Sequence, residues 1–198
     1  MSPRPDVSEE RKDQIIDAAS EVFTEKGFQK ARMDDIAEKS GLSKGALYWY
    51  FKSKDDIVIG IFDRIFSREA RDLETLVSSA DTASDRLLQY TERVTQDVKR
   101  LLRFAPITYE FLSLAFRNRY LQKAFKHYLK EHMDILVPII QEGIDSGEFR
   151  AVDPEEAAIA VGAIFEGTLA LWVYDNELVK PDYHIQTGIQ FLIESFKA

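Results

Sequence analysis

The chain has 198 residues, of which 45% are hydrophobic and 12% aromatic. That composition excludes a disordered chain and allows one ordinary core, or a small domain joined to a larger one. It holds no cysteine, which excludes disulfides and thiolate metal sites and suits a reducing, cytoplasmic setting. A net charge of −8 argues against nucleic acid when taken alone, yet residues 26–54 net +4 and everything after Lys54 nets −8, so a small basic module precedes a large acidic one.

The elements read as helices almost throughout, with no alternating apolar–polar run and no internal repeat. Met1-Ser2-Pro3-Arg4-Pro5-Asp6 lacks the apolar stretch of a signal peptide. A first helix is expected from Ser8, its N-cap, to Gly27 at its C-terminal end, with Ile15, Ala18, Ala19, Val22 and Phe23 as one stripe. Two short helices follow, Met33–Lys39 and Lys44–Tyr50, and a longer one opens at Ser53, where Ser-Lys-Asp-Asp supplies a capping box.

Gly41 can end one helix in the left-handed conformation, Leu42 can plug the corner and Ser43 can cap the next helix. Ile36, Ala37, Leu42, Leu47 and Phe51 would then pack inward on Val22, Phe23 and Phe28. This is the arrangement of a helix-turn-helix. Its second helix presents Lys44, Gly45, Ala46, Tyr48, Trp49 and Tyr50 outward, and a solvated face rarely carries three aromatics. Small Gly45 and Ala46 allow close approach to base edges, and Lys44 can reach a guanine edge or a phosphate. Tyr48, Tyr50 and Lys54 suit phosphate oxygens, and Arg32 can hold the phosphate across the groove. The competing reading is a plain helical corner whose aromatics pack on a partner.

Gly27-Phe28, Asp35-Ile36-Ala37, Gly41-Leu42-Ser43-Lys44-Gly45, Leu47-Tyr48 and Tyr50-Phe51-Lys52-Ser53-Lys54 resemble the N-terminal signature of TetR-family transcriptional regulators. The match covers about residues 10–60 without a gap. The resemblance implies a homodimer on a roughly palindromic operator, usually a repressor released by a small molecule. It assigns base-edge contact to Lys44, Gly45 and Ala46 and phosphate contact to Tyr48, Tyr50 and Lys54. Arg32 stands where the family usually has a capping Ser or Thr, and Asp34 where many members carry Arg. The expected DNA-facing set is Arg32, Ser43, Lys44, Gly45, Ala46, Tyr48, Trp49, Tyr50 and Lys54.

Beyond residue 80 the expected helices lengthen. Thr82 or Ser84 caps one reaching about Arg103, Pro106 suits the first turn of the next, and Asn118 opens one ending at Gly147 with Pro138 inside it as a kink. Asp153-Pro154-Glu155-Glu156 starts another, and the last spans about Asp182–Phe196. The expected architecture is all-α with about nine helices. A three-helix helix-turn-helix domain at residues 1–53 is joined to a helical effector-binding and dimerisation domain at 54–198.

Many aromatic rings of the acidic half serve as core, and a few can line an effector cavity. Tyr109, Phe111, Phe165 and Trp172 are the first candidates, for an apolar or aromatic ligand. Glu166 lies in the otherwise apolar 163–169 segment, where a carboxylate needs either a structural partner or a polar group on the ligand. Glu110 poses the same choice. Ala157–Tyr174 is apolar, but slightly short for a membrane span with Glu166 inside it, so a buried helix is expected and no membrane partner. Gly162, Ala163, Gly167 and Ala170, with Ile185, Ile189, Leu192, Ile193 and Phe196, make the last two helices either half of a dimer interface or a pair packed within one subunit.

His127, Glu131 and His132 form at most a weak metal pattern, and neither a nucleophile elbow nor a glycine-rich loop after a strand is present, so neither enzyme nor cofactor is expected. The expected function is a ligand-responsive, dimeric DNA-binding regulator. The alternative is an all-helical small-molecule or partner-binding protein without specific DNA binding.

Overall fold

A computed structural model describes residues 7–64, 82–102, 110 and 113–197, without the side chains of Val7 and residues 97–102. Among the described residues the chain is all-α, with no strand and one isolated antiparallel bridge between Phe149 and Lys197. The helices are α1 (Val7–Lys26), α2 (Met33–Ser40), α3 (Lys44–Tyr50), α4 (residues 54–64), α5 (Ala83–Leu102), α6 (Arg119–Asp145), α7 (Pro154–Tyr174) and α8 (Pro181–Phe196). A helical turn at 113–115 lies where one further helix is expected.

The chain divides into two compact units, residues 1–67 with 103–125, and residues 68–102 with 126–198. In the first unit α1 buries Ile15, Ala18, Ala19, Val22 and Phe23, the expected stripe. It begins one residue before Ser8, so Ser8 lies inside the first turn rather than at the cap. Ile36 and Ala37 of α2, Leu47 of α3 and Phe51 complete the core around Phe23 and Phe28, while Leu42 is half-buried at the corner. Gln14 Nε2 donates to Ser40 O at 2.6 Å and fastens the end of α2 to α1. Ile57, Val58, Ile61 and Phe62 give α4 its buried side. Residues 110–125 belong to the same unit. There the Glu110 carboxylate accepts the Phe28 N–H at 3.0 Å, Asn118 Nδ2 donates to Asp55 at 2.7 Å, and the Tyr120 hydroxyl donates to Asp56 at 2.9 Å.

The second unit packs α5, α7, α8 and the later turns of α6 around Leu87, Leu136, Ile140, Val161, Phe165, Ile185 and Ile189. Two of its helix starts carry the expected caps, while α8 opens at Pro181, one residue before the expected Asp182 and without a side-chain cap. Thr82 Oγ1 accepts the Asp85 N–H at 3.0 Å, and Asp153 accepts from Glu155 and Glu156 at 2.9 and 3.2 Å. Asn118 likewise caps α6 by accepting from Tyr120 and Leu121 at 3.0 and 3.3 Å. α6 continues as helix through Pro138.

Gly147-Glu148-Phe149 holds three elements together. Glu148 accepts the N–H groups of Ala83 and Ser84 at 2.8 and 2.9 Å, closing the open start of α5. The Phe149 ring lies on Gly143 so closely that a Cβ there would clash with it. The Phe149 and Phe196 rings sit 5.8 Å apart, and Arg150 N–H donates to Phe196 O at 2.7 Å.

The expectation of a buried helix over Ala157–Tyr174 needs correction. α7 buries Ala157, Ala158, Val161 and Phe165, whereas Ile159, Leu171, Val173 and Tyr174 are exposed, Tyr174 at 83%. This helix is long and apolar enough to cross a membrane by length and composition alone, and within one subunit only the side bearing Ala157, Ala158, Val161 and Phe165 is covered.

Candidate nucleic-acid interface

The corner between α2 and α3 is built from backbone chemistry. Gly41 has φ +68°, its N–H donates to Glu38 O at 3.1 Å, and Leu42 N–H donates to Ala37 O at 3.1 Å. Those two bonds are the paired helix-stop of a Schellman motif, which needs a left-handed residue at Gly41. Ser43 Oγ then accepts Ala46 N–H at 3.2 Å and starts α3. After Phe51, Ser53 and Asp56 cap each other's N–H groups at 3.0 and 3.1 Å, the reciprocal capping box read from the sequence.

Arg32 leaves α2 without a side-chain acceptor at its cap, because a guanidinium only donates. Asp35 compensates from the other side by accepting the Arg32 N–H at 2.8 Å, and Lys26 at 2.9 Å on its second oxygen. These bonds hold the Asp35 carboxyl below its usual range, the Lys26 hydrogen bond first and the Arg32 backbone second.

With the fold anchored by fully buried Leu47, the outer side of α3 is set. Lys44, Gly45, Tyr48 and Trp49 are exposed, Trp49 at 68%. Ala46 and Tyr50 are half-buried, and the Trp49 and Tyr50 rings meet edge-on at 4.6 Å. Within its own chain Trp49 is not core. Lys44 Nζ contacts Asp34 Oδ1 at 2.6 Å.

Lys54 does not face outward with this group. Its ammonium donates to Phe28 O at 2.5 Å and Ala31 O at 2.8 Å, and lies 4.4 Å from the Phe28 ring centroid. Burial pushes its pKa down, opposed by Asp55 and Glu110. Its three N–H donors close the α1–α2 loop. Lys52 similarly donates to Tyr48 O at 2.7 Å, closing the end of α3. Of the cations in residues 26–54, Lys30 and Arg32 are the two whose side chains make no hydrogen bond or ion pair among the described residues. Lys30 is not among the residues the sequence points to, because counting charges cannot tell an uncommitted lysine from a committed one.

In the second unit Phe165 is core, Trp172 is half-buried, and Tyr109 and Phe111 lie outside the described residues. Glu166 reaches the surface of α7 yet is enclosed enough by protein that desolvation raises its pKa. Glu110 has found a structural partner in the Phe28 N–H. Phe165 stands edge-on to Tyr90 at 6.4 Å, and the Tyr90 hydroxyl bonds His132 Nδ1 at 2.7 Å. Burial raises the Tyr90 pKa and lowers that of His132, so both are neutral at pH 7. This interior polar pair gave no signal in the sequence, where each residue is isolated. His132 is occupied there, while His127 meets Glu131 at 3.5 Å on the surface, and no group of three potential metal ligands occurs among the described residues.

Residues 15–61 match the family model described as bacterial regulatory proteins, tetR family, and residues 83–178 match the tetracyclin repressor-like C-terminal domain. The chain is 31% identical over 163 residues to the uncharacterised HTH-type transcriptional regulator YfiR of Bacillus subtilis, covering 78% of this chain and 76% of that protein. It is 30% identical to the fatty acid metabolism regulator protein of the same organism, over 83% of this chain and 84% of that one. The chain belongs to the TetR family. Among solved structures, the Bacillus subtilis regulator FadR in complex with stearoyl-CoA superposes with a TM-score of 0.80 at 27% identity, over 92% of this chain and 98% of that one. As a TetR-family member the chain is a ligand-responsive, DNA-binding transcriptional regulator with an N-terminal helix-turn-helix and a larger helical C-terminal module.

Proposed function

We propose that this regulator is a cytoplasmic repressor that grips a palindromic operator as a homodimer and lets go when an apolar effector binds its acidic module. The observation that carries the reading is the outer side of α3, where Lys44, Gly45, Tyr48 and Trp49 stand exposed on a helix fixed by the Gly41 stop and the Ser43 cap. Lys44, Gly45 and Ala46 would meet base edges, with Tyr48, Trp49, Tyr50, Arg32 and Lys30 on the flanking phosphates. Ser43 and Lys54 contribute by holding the interface in shape. On this reading DNA binding resides in residues 1–53, and effector binding and dimerisation in 54–198.

Dimerisation through α7 and α8 is supported by what they leave uncovered. Ile159, Leu171 and Tyr174 of α7 and Phe191 of α8 are exposed, and a Cβ on Gly162 or Gly167 would meet nothing within 4 Å. The glycine that lets these two helices approach each other is Gly188, against Ile164. A two-fold partner would bury the open stripe and set two α3 helices roughly 34–36 Å apart, one turn of DNA. An effector then needs only to bind more tightly to the state with the wrong spacing.

For the effector, the resemblance to a regulator solved with stearoyl-CoA makes a long-chain acyl-CoA thioester the first compound to try. Phe165, Trp172 and Glu166 of the second unit are the residues proposed to meet it, with Tyr90 and His132 behind Phe165; the expected Tyr109 and Phe111 lie outside the described residues. Fluorescence anisotropy of the protein on a selected operator duplex tests this reading. Stearoyl-CoA should release the duplex, and free coenzyme A at the same concentration should not. If neither stearoyl-CoA nor stearate changes the anisotropy, the acyl-thioester assignment is wrong.

A further inference from the structure

The basic module is less available to phosphates than its sequence suggests. Lys26 is held by Asp35 at 2.9 Å, and Lys39 by Glu21 and Glu25 at 2.8 and 3.3 Å. Lys52 and Lys54 are spent on backbone carbonyls. On the reading helix itself, Lys44 is held by Asp34 at 2.6 Å, with both side chains about three-fifths exposed.

A carboxylate on a DNA-facing surface is costly, because phosphates repel it and it cancels a charge that would release counterions. An exposed ion pair contributes little to fold stability, and α2 already has its own stop and its own Asp35 cap. The placement nevertheless has a use. An ammonium has three donors on a flexible stem. One taken by Asp34 fixes where Nζ sits at the leading end of α3, and leaves two donors for the O6 and N7 acceptors of a guanine. The same carboxylate penalises any complex in which Lys44 merely sits near a phosphate.

We propose that Asp34 is a specificity-determining residue of this regulator: it acts through Lys44, orienting the ammonium toward a base edge and suppressing sequence-independent binding. The inference rests on α3 being the DNA-reading helix. It makes Asp34 a positioning residue, and it predicts that removing a repulsive charge will make the protein a poorer discriminator even as it binds DNA better.

The test uses the full-length protein, duplexes selected by the wild type from a random library, and a random duplex of equal length. Asp34→Asn should tighten the random duplex several-fold while leaving the selected one unchanged or weaker, so that the ratio of the two affinities falls about tenfold. The salt dependence on random DNA should steepen by up to about one unit of log–log slope per protomer. In a Lys44→Ala background the same change should still raise random binding but leave the ratio where Lys44→Ala put it. An equal fold-change on both duplexes would overturn the proposal, as would an undiminished fall in the ratio without Lys44. If the wild type itself selects no sequence, the DNA-reading assignment falls and this inference with it. If it selects one and Asp34→Asn keeps the ratio, only this inference falls.

Discussion

Two helices of this chain expose aromatic and apolar side chains, and they do so for opposite reasons. α3 is seven residues long, buries Leu47 completely and is fixed at both ends, by Ser43 before it and the Lys52-capped turn after it. Its exposed Tyr48 and Trp49 sit on this short capped helix, with Lys44 and Lys52 exposed nearby in sequence. α7 is three times as long, is mostly apolar and buries one stripe, leaving Ile159, Leu171 and Tyr174 uncovered, as is Phe191 of α8. The first surface is finished within one chain and suits a polar, rigid ligand such as a groove of DNA. The second is left open within one chain, and it is the stripe that the proposed dimer would bury.

The largest effect expected from breaking this contrast is at α3. Leu47→Ala removes a fully buried side chain and should cost about 3 kcal/mol in urea or thermal unfolding, taking operator binding with it. On α7 and α8 the expectation reverses. Leu171→Glu with Phe191→Glu should leave the subunit as stable as the wild type, yet yield a monomer in sedimentation and weaken operator binding about hundredfold, because a single α3 covers only one half-site. A variant that remains dimeric would move the interface elsewhere.

Lys54 sharpens the contrast further, since it looks like a phosphate ligand in sequence and is a loop clasp in the fold. Lys54→Met should destabilise the protein by about 1.5–3 kcal/mol, the range for hydrogen bonds involving a charged group. It should leave the salt slope of DNA binding unchanged, because no phosphate contact is lost. Arg32→Ala should do the reverse, lowering the slope by about one per protomer with little change in stability.

The smallest effect concerns Glu148. Desolvation raises its pKa, but the hydrogen bonds from Ser84 and Ala83 and the charge of Arg86 outweigh it, so the net shift is downward. A carboxylate depressed in the folded state stabilises the fold above its unfolded pKa, and that contribution is lost as pH falls through the folded value. Unfolding followed from pH 7 down through 4.5 and below should therefore show a shallower acid limb in Glu148→Gln than in the wild type.

How much of this was legible depended on whether a feature is local. Gly41, Ser43, Ser53-x-x-Asp56, Thr82, Asn118 and Asp153 act through backbone atoms within a few residues, so the chain itself announces them. The stripe of α1 is equally plain, since helical periodicity alone places it. Pairings across the fold are not announced. Lys44 and Lys54 are both lysines near the same motif, and only packing makes one face outward beside Asp34 while the other turns in to Phe28. Tyr90 and His132 are forty-two residues apart, and no periodicity links them. The apolar stretch after Asp153 announced a helix correctly, but hydrophobicity does not say whether its cover comes from the same subunit.

On the proposed function, α3 reads DNA as one of a symmetric pair. Selection of duplexes from a random library by the full-length protein, with sequencing of the bound pool, tests it most directly. The predicted result is an inverted repeat whose half-site centres lie about one helical turn apart, bound with steep salt dependence and lost in Lys44→Ala. A pool no different from the starting library, or one enriched equally by Lys44→Ala, would contradict it.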